Sequence, residues 1–358
     1  MAIKLGLESE FPEDQLPLLI RRSGMADWHE GRVRILDRRE LPHRERYLEC
    51  TTPEDVAHAI EAMAIQGAFS ISIAAGYGLA LTDLGAGDSM SALRETSARL
   101  VATRPTGLAL TRMQAACLAR AESAVAEGAD PQTAILALVD QGAAALARQG
   151  WKTGQRAAEL LETGSRILTH CFPDRSYCYL LVEAKRTGKS LTVYCSETRP
   201  YLQGARLTAY CAHELGFETR VATDGMGGFL MRRGEIDALI TAADRVCMDG
   251  TVCNKIGTYP HALAASANDV PYYVLRQSGP DLESANEQDI DIEIRSGETV
   301  VTVGGERTAP VGVDGVYPSF DITPPELVTR IVTDRGVFAA ADIAEYSTTT
   351  PFIEDAVV

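Results

Sequence analysis

The chain has 358 residues, of which 46% are hydrophobic and 23% charged, and its formal net charge is −15. This balance is typical of a globular protein and excludes a disordered one. A nucleic-acid-binding protein needs a basic face, and no Lys/Arg cluster of that kind is present. No run approaches the roughly 18 apolar residues of a membrane-spanning helix, so we expect no membrane association.

The eight cysteines and six histidines are scattered along the chain. Zinc sites use closely spaced pairs of these residues, so the spacing predicts no metal site. The N-terminus has early acidic residues and no long apolar segment, which argues against a signal peptide. We therefore expect a cytoplasmic protein with free thiols that uses neither a metal nor an organic cofactor.

Residues 1–150 predict a mainly helical N-terminal domain with a small β element at its front. The β element comprises the runs RVRIL and RYLEC. Thr52, followed by proline and two acidic residues, is a helix start, and the Ala- and Gly-rich segment Ile71–Leu81 predicts a closely packed helix. A second start at Asp130 opens an Ala-rich helix, which we expect Gly150 to end.

In residues 151–358 short apolar runs alternate with helical stretches. The runs are RILTH, LTVYC, TRVAT, ALITAA, PYYVL and TVVTV. Strands that alternate with helices predict a Rossmann-like, parallel-sheet C-terminal domain, so the fold class is α/β. Most runs end in polar residues, and open α/β sheets bind ligands at the carboxyl ends of their strands. We expect the functional site there.

Two reactive side chains follow such runs. Cys171 comes after RILTH and before a helix expected to start near Pro173. The positive end of that helix lowers the pKa of a thiol, which favours a base, whereas the alternative is a buried cysteine without chemistry. Asp244 follows ALITAA. In apolar surroundings its pKa rises and it can act as a general acid; the alternatives are a helix cap or a salt bridge with Arg245.

Hydrogen-bond donors suited to an anion occur at Arg104, Gln203, Asn254 and Lys255. Gly204 follows a proline turn at an expected helix start, where backbone N–H groups can face a phosphate. The alternative for each of these groups is ordinary surface polarity.

Together these segments resemble the methylthioribose-1-phosphate isomerase family. That family is homologous to ribose-1,5-bisphosphate isomerases and to the regulatory subunits of the eukaryotic translation-initiation exchange factor. The resemblance extends from about Trp28 to Val337. Its most specific motifs are SETRPYLQGARLTAY (Ser196–Tyr210), AADRVCMDGTVCNKIGTY (Ala243–Tyr259), ILTHC (Ile167–Cys171), TRPTGLAL (Thr103–Leu110) and FDITPPEL (Phe320–Leu327).

The resemblance implies that Cys171 and Asp244 are the catalytic acid–base pair of a homodimeric, metal-independent isomerase. It also implies a phosphate site at Gly67, Ala68, Arg104, Gln203, Asn254 and Lys255. The expected reaction converts S-methyl-5-thioribose 1-phosphate, or a close pentose 1-phosphate, into the ribulose 1-phosphate form, as one step of methionine salvage. Proton transfer and a direct hydride shift both remain open.

The sequence departs from the family pattern around the expected site. Gln66 replaces an arginine, Phe69 a proline, and Phe172 and Tyr317 each replace an asparagine. These changes predict retained chemistry on a changed substrate. An apolar wall at Phe69 and Phe172 favours a methylthio or 5-deoxy group over a second phosphate. The alternative substrates are therefore 5-deoxyribose 1-phosphate and ribose 1,5-bisphosphate. The alternative function is that of a non-catalytic regulatory protein like the translation-factor relatives.

Overall fold

The computed structural model describes residues 13–85, 88–105 and 107–349. Over these residues no helix is long and apolar enough to cross a membrane. The chain divides into two compact units, with the boundary between Arg148 and Gln149. The first unit opens with strands β1 (Ala26–His29), β2 (Arg32–Leu36) and β3 (Tyr47–Cys50). Its helices are α1 (Pro53–Glu61), α2 (Ala68–Ala80), α3 (Ser89–Ala102), α4 (Leu108–Ala126) and the start of α5 (Pro131–Glu159).

In the first unit a small antiparallel sheet in the order β1-β2-β3 precedes the helices in the chain. This confirms the predicted mainly helical region. Helix α1 begins at the predicted cap. The Thr52 hydroxyl accepts a hydrogen bond from the Asp55 backbone N–H at 3.2 Å, and the Asp55 carboxylate accepts from the Thr52 N–H at 2.9 Å. Helix α2 is closely packed, since a Cβ at Gly76 would lie 2.6 Å from the Val139 side chain.

The prediction that Gly150 ends its helix is wrong, because α5 continues to Glu159. A Cβ at Gly150 would lie 3.3 Å from Arg175 Cβ and 3.4 Å from the Tyr179 ring. Glycine in a helix interior costs about 1 kcal/mol relative to alanine. Here the missing side chain lets α5 approach neighbouring residues closely, so a packing requirement outweighs the helix propensity.

The second unit contains fourteen strands and four complete helices among the described residues. The strands are β4 (Arg166–Thr169), β5 (Thr192–Ser196), β6 (Glu218–Ala222), β7 (Ala238–Ala242), β8 (Arg245–Val246), β9 (Val252–Lys255), β10 (Tyr272–Leu275), β11 (Ile294–Arg295), β12 (Thr302–Val303), β13 (Glu306–Arg307), β14 (Tyr317–Pro318), β15 (Phe320–Thr323), β16 (Arg330–Val332) and β17 (Val337–Phe338). The helices are α6 (Asp174–Arg186), α7 (Ala209–Glu214), α8 (Gly227–Arg232) and α9 (Thr258–Ser266).

A seven-stranded sheet in the order β17-β16-β10-β7-β4-β5-β6 forms the centre of this unit. All neighbours in it are parallel except β16 and β17, so the chain has a mixed α/β fold with a mostly parallel sheet. The runs from RILTH to PYYVL supply β4, β5, β6, β7 and β10, as predicted. The run TVVTV does not join the sheet. Gly304 and Gly305, both with positive φ, turn the chain back after two residues, so β12 pairs locally with β13.

The order of the sheet reverses between β4 and β7. From β4 the chain adds β5 and β6 on one side, and it then returns to place β7 on the other side of β4, followed by β10. The two central strands are in register at Leu168 and Leu239. Open α/β sheets bind ligands outside the carboxyl ends of the strands at such a reversal. The residues that follow β4 and β7 are therefore the first place to look for a site.

Candidate active site

Cys171 lies two residues beyond the end of β4. Its φ is +65°, a left-handed conformation that costs about 1 kcal/mol or more for a residue other than glycine. Two side chains hold this backbone in place. The Cys171 N–H donates to Thr198 Oγ1 at 2.9 Å, and its carbonyl accepts from Thr208 Oγ1 at 2.6 Å. The turn is thus fixed from the segment that follows β5.

The thiol of Cys171 lies just before α6, which begins at Asp174. The expected lowering of its pKa is nevertheless wrong. Burial raises the pKa of Cys171 to about 11, while the Lys255 ammonium opposes this increase and the Asp244 carboxylate adds to it. Desolvation of a thiolate outweighs the field of a nearby helix end. The free protein therefore favours the neutral thiol.

Asp244 lies two residues beyond the end of β7. Burial raises the pKa of its carboxyl group above the usual value, and Lys255, Arg276 and Arg295 oppose that shift. The side chain of Arg245 is engaged elsewhere, with its Nε 3.5 Å from Asp281 Oδ2, so the salt-bridge alternative for Asp244 is wrong. A raised pKa is the property that a general acid at this position needs.

The Asp244 carboxylate raises the pKa of Cys171, and the Lys255 ammonium lowers the pKa of both groups. Asp244 is exposed and Cys171 is partly exposed, yet desolvation is the largest influence on both pKa values. These two observations describe groups on the wall of a concave site that water can enter. The neighbouring strands β4 and β7 thus bring the two predicted residues together.

The Lys255 side chain is buried at the end of β9, with its Nζ 4.3 Å above the ring of Phe320. Asn254 is buried beside it, and its Nδ2 donates to Thr258 Oγ1 at 3.0 Å. The Thr258 hydroxyl donates in turn to the Lys255 carbonyl at 2.7 Å. A local hydrogen-bond chain therefore fixes the Asn254–Lys255 pair next to Cys171 and Asp244.

Gln203 is buried, and its Oε1 has no hydrogen-bond partner among the described residues. It directly precedes Gly204–Thr208, which forms a π-helical turn instead of the regular helix start that we expected. A Cβ at Gly204 would lie 1.7 Å from the Ser196 carbonyl oxygen, so only glycine fits. This close approach places Gly204, the residue after Gln203, against the end of β5.

A largely buried polar network, which the sequence did not predict, adjoins the turn at Cys171. We call it the polar floor: His170, Ser196, Asp224 and His261. The Ser196 hydroxyl donates to Asp224 and lies 3.0 Å from His170 Nδ1 and 3.4 Å from His261 Nε2. His170 Nε2 donates to the Ile256 carbonyl at 2.8 Å. The floor thereby links the ends of β4, β5, β6 and β9.

Asp224 carries the charge of the polar floor. Burial by itself raises the pKa of Asp224. Hydrogen bonds from Ser196 and from the backbone N–H groups of Arg199 and Thr198 lower the pKa by more than burial raises it, so it lies below its ordinary value. Both backbone bonds measure 2.7 Å. Since Thr198 also holds the Cys171 N–H, the ionised floor fixes the turn that presents the thiol. Across the described segments, no group of three or more His, Cys, Asp or Glu side chains could hold a metal ion.

Three predicted phosphate-site residues lie in the first unit. Gly67, with φ of +95°, precedes α2, and Ala68 is the exposed first residue of that helix. The first N–H groups of a helix have no partner within it and attract anions. The guanidinium of Arg104 donates to the Ile60 carbonyl at 3.2 Å and contacts Met63 Sδ.

The four departures from the family pattern have different surroundings. Gln66 is buried, and its Nε2 donates to the Met63 carbonyl at 3.2 Å. Phe69 packs against the hydrophobic core of the first unit, and Phe172 is buried in the second. Tyr317 is 2% exposed, and burial raises its pKa.

Comparison with known proteins agrees with the motifs. A model of the Initiation factor 2 subunit family matches residues 57–340. A methylthioribose-1-phosphate isomerase of Thermotoga neapolitana is 38% identical over 331 residues, which covers 87% of this chain and 93% of that relative.

Two solved structures have the same fold over most of the chain. The 5-methylthioribose 1-phosphate isomerase from Pyrococcus horikoshii OT3 matches with a TM-score of 0.81 and 31% identity, covering 96% of this chain and 99% of that one. The delta subunit of the translation initiation factor eIF-2B from A. fulgidus matches with a TM-score of 0.76 and 31% identity, covering 91% and 97%. The chain therefore belongs to the Initiation factor 2 subunit family and, within it, to the methylthioribose-1-phosphate isomerases.

Proposed function

We propose that this chain is an aldose–ketose isomerase that converts S-methyl-5-thioribose 1-phosphate, or a close pentose 1-phosphate, into the ketose 1-phosphate. One observation carries the proposal. Cys171 and Asp244 follow the two parallel strands at which the sheet order reverses, Asp244 raises the pKa of Cys171, and Lys255 lowers the pKa of both. A regulatory protein that only binds a partner has no need of such a pair.

The proposed reaction assigns one proton-transfer role to each member of the pair. Asp244, whose pKa is raised by burial, gives a proton to the ring oxygen as the bond from C1 to that oxygen breaks. Cys171, as the thiolate, removes the proton on C2 and returns it to C1. The proton of the 2-hydroxyl group leaves as the ketone forms, and it restores the acid. A hydride shift from C2 to C1 would give the same product.

The pair needs one shared proton for this chemistry. A carboxylic acid with a thiolate contains as many protons as a carboxylate with a thiol. Burial raises both pKa values and Lys255 lowers both, so the lysine charge stabilises a thiolate at Cys171 as it stabilises a carboxylate at Asp244. Lys255 thus serves the thiolate in addition to its proposed contact with the phosphate.

We propose that Gln203, Asn254 and Lys255 bind the substrate phosphate in the second unit. All three are buried, the Gln203 Oε1 has no hydrogen-bond partner among the described residues, and the Lys255 Nζ lies over the Phe320 ring. Gly67, Ala68 and Arg104 in the first unit remain predicted phosphate ligands. We also propose that the chain forms a homodimer and that its mostly parallel sheet is Rossmann-like. The proposed domains are residues 1–150, which are mainly helical, and residues 151–358, which carry the catalytic pair.

A time course followed by phosphorus and proton NMR tests the function. Methylthioribose 1-phosphate, 5-deoxyribose 1-phosphate and ribose 1,5-bisphosphate are offered in parallel. We expect a ketose 1-phosphate from at least one of them, and a fall of about a thousandfold or more in kcat for Cys171→Ser and for Asp244→Asn with the fold intact. The exposed Asp249, changed to Asn, is the matched control and should leave kcat unchanged.

Two outcomes would contradict the proposal. Near-normal turnover in Cys171→Ser or Asp244→Asn would remove the role assigned to that residue. Silence on all three sugars from folded wild-type protein would favour the regulatory alternative, to which the match with the initiation-factor subunit from A. fulgidus gives a structural basis.

A further inference from the structure

Tyr317 has a buried hydroxyl group that no atom in the described part of the chain satisfies. The residue is 2% exposed, and its Oη has no hydrogen-bond partner among the described residues. An unpaired buried polar group costs about 1–3 kcal/mol, so such groups call for an explanation. A ligand that supplies the missing partner is one such explanation when the group faces a site.

The surroundings of Tyr317 are those of the candidate site. In the β11–β14 pair it stands opposite Arg295, and its ring makes an edge contact with Tyr201 at 5.9 Å between centroids. Arg295 and Glu293 act electrostatically on Tyr317, and the same two residues act on Asp244.

Cys171 also acts electrostatically on Tyr317 and raises its pKa. The side chain of Arg295 is already bound to Glu293, with Nε and Nη2 at 2.9 and 3.0 Å from its carboxylate oxygens. The Tyr317 hydroxyl is therefore a polar group near Cys171 whose hydrogen-bonding capacity the described residues leave unused.

We propose that Tyr317 is a specificity-determining residue whose hydroxyl donates a hydrogen bond to the 2-hydroxyl oxygen of the sugar. The inference rests on the proposed function, in which Cys171 acts at C1 and C2. Because O1 carries the phosphate, the free hydroxyl nearest to these carbons is the one on C2. A site built to hydrogen-bond a hydroxyl group rejects the analogue that lacks it.

A binding cycle tests this contact without relying on turnover. Dissociation constants for ribose 1-phosphate and 2-deoxyribose 1-phosphate are measured by calorimetry in the unreactive Cys171→Ser background, with and without Tyr317→Phe. We expect the loss of the 2-hydroxyl to weaken binding about tenfold when Tyr317 is present, and to have little effect in Tyr317→Phe. Failure of wild-type turnover would contradict the proposed function alone, since the cycle can still be read.

Tyr177 provides a matched control. It is 1% exposed and its hydroxyl also has no partner among the described residues, but its charge neighbours are Cys178, Cys195 and Cys211 rather than the catalytic pair. Tyr177→Phe should leave both dissociation constants unchanged. Neither Phe variant should lower the melting temperature, because each removes an unsatisfied group.

Three results would overturn the proposal. In the first, Tyr317→Phe leaves both dissociation constants unchanged. In the second, it weakens the binding of both ligands by the same factor. In the third, the Cys171→Ser protein binds neither sugar phosphate. A fall in melting temperature together with equal losses for both ligands would assign Tyr317 a structural role instead.

Discussion

Lys255 is the residue whose charge acts on both members of the proposed pair. Its ammonium lowers the pKa of Cys171 and that of Asp244, against the burial that raises both. The lysine is 7% exposed, so little solvent screens its charge. Retention of a cation at this position favours the thiolate, and the effect can be measured on the cysteine itself.

We predict that Lys255→Met raises the pKa of Cys171 above about 11 and slows its alkylation by iodoacetamide at pH 9 about threefold or more. Mass spectrometry can follow Cys171 alone, because the other seven cysteines, all described in the structure, are buried. The exposed Lys185, changed to Met, is the control. An unchanged alkylation rate in Lys255→Met would show that Lys255 does not stabilise the thiolate.

At the scale of elements, the polar floor joins strand ends that are far apart in the sequence. His170 follows β4, Ser196 ends β5, Asp224 follows β6, and His261 lies in α9. Their contacts hold the segment around Thr198, which in turn fixes the backbone of Cys171. The parallel sheet thus converts four separate polar residues into one support for the thiol.

The stability of this floor should depend on pH through Asp224. Hydrogen bonds hold the pKa of Asp224 below its ordinary value despite burial. A carboxylate with a depressed folded-state pKa stabilises the fold above its unfolded pKa of about 4, and this stabilisation is lost as the pH falls through the folded value. We therefore predict that Asp224→Asn lowers the stability at pH 7 by about 2–3 kcal/mol.

The measurement is the melting temperature between pH 7 and pH 3. Wild-type protein should lose stability faster than Asp224→Asn below about pH 4, so the two curves converge. Asp314→Asn, in an exposed loop, should parallel the wild type. Parallel curves for Asp224→Asn and wild type would mean that Asp224 is not the group that links the floor to pH.

At the scale of the whole molecule, large apolar side chains are exposed on the adjacent helices α8 and α9. Phe229 is 62% exposed and Leu263 is 43% exposed, and Met226 just before α8 is 49% exposed. Exposed apolar patches of this kind mark protein–protein interfaces. We therefore propose that the two copies of the homodimer contact each other through this surface, which we call the α8–α9 face.

Sedimentation equilibrium should give a mass about twice the chain mass of 38.6 kDa. Phe229→Asp should weaken the association about thirtyfold, because it places a charge where an aromatic side chain is expected to be buried. Val311→Asp is the control, since Val311 is 95% exposed and belongs to neither helix. A monomeric wild type would contradict the homodimer, and a dimer unaffected by Phe229→Asp would contradict only the α8–α9 face.

The sequence by itself determined the elements whose causes are local. The cap at Thr52 and the strands β4, β5, β6, β7 and β10 were predicted. Helix capping and the alternation of strands with helices depend on residues that are adjacent in the sequence. The family was identified from contiguous motifs for the same reason. The positions of Cys171 and Asp244 directly after strands followed from these boundaries.

Only the tertiary structure decided which strand ends adjoin. That β4 and β7 are neighbours at the reversal of the sheet, and that β12 is left outside it, depends on pairings between distant segments. The raised pKa of Cys171, the unsatisfied hydroxyl of Tyr317 and the polar floor have the same origin. Desolvation and hydrogen bonding depend on what surrounds a group in space, and those surroundings come from residues that the chain order separates.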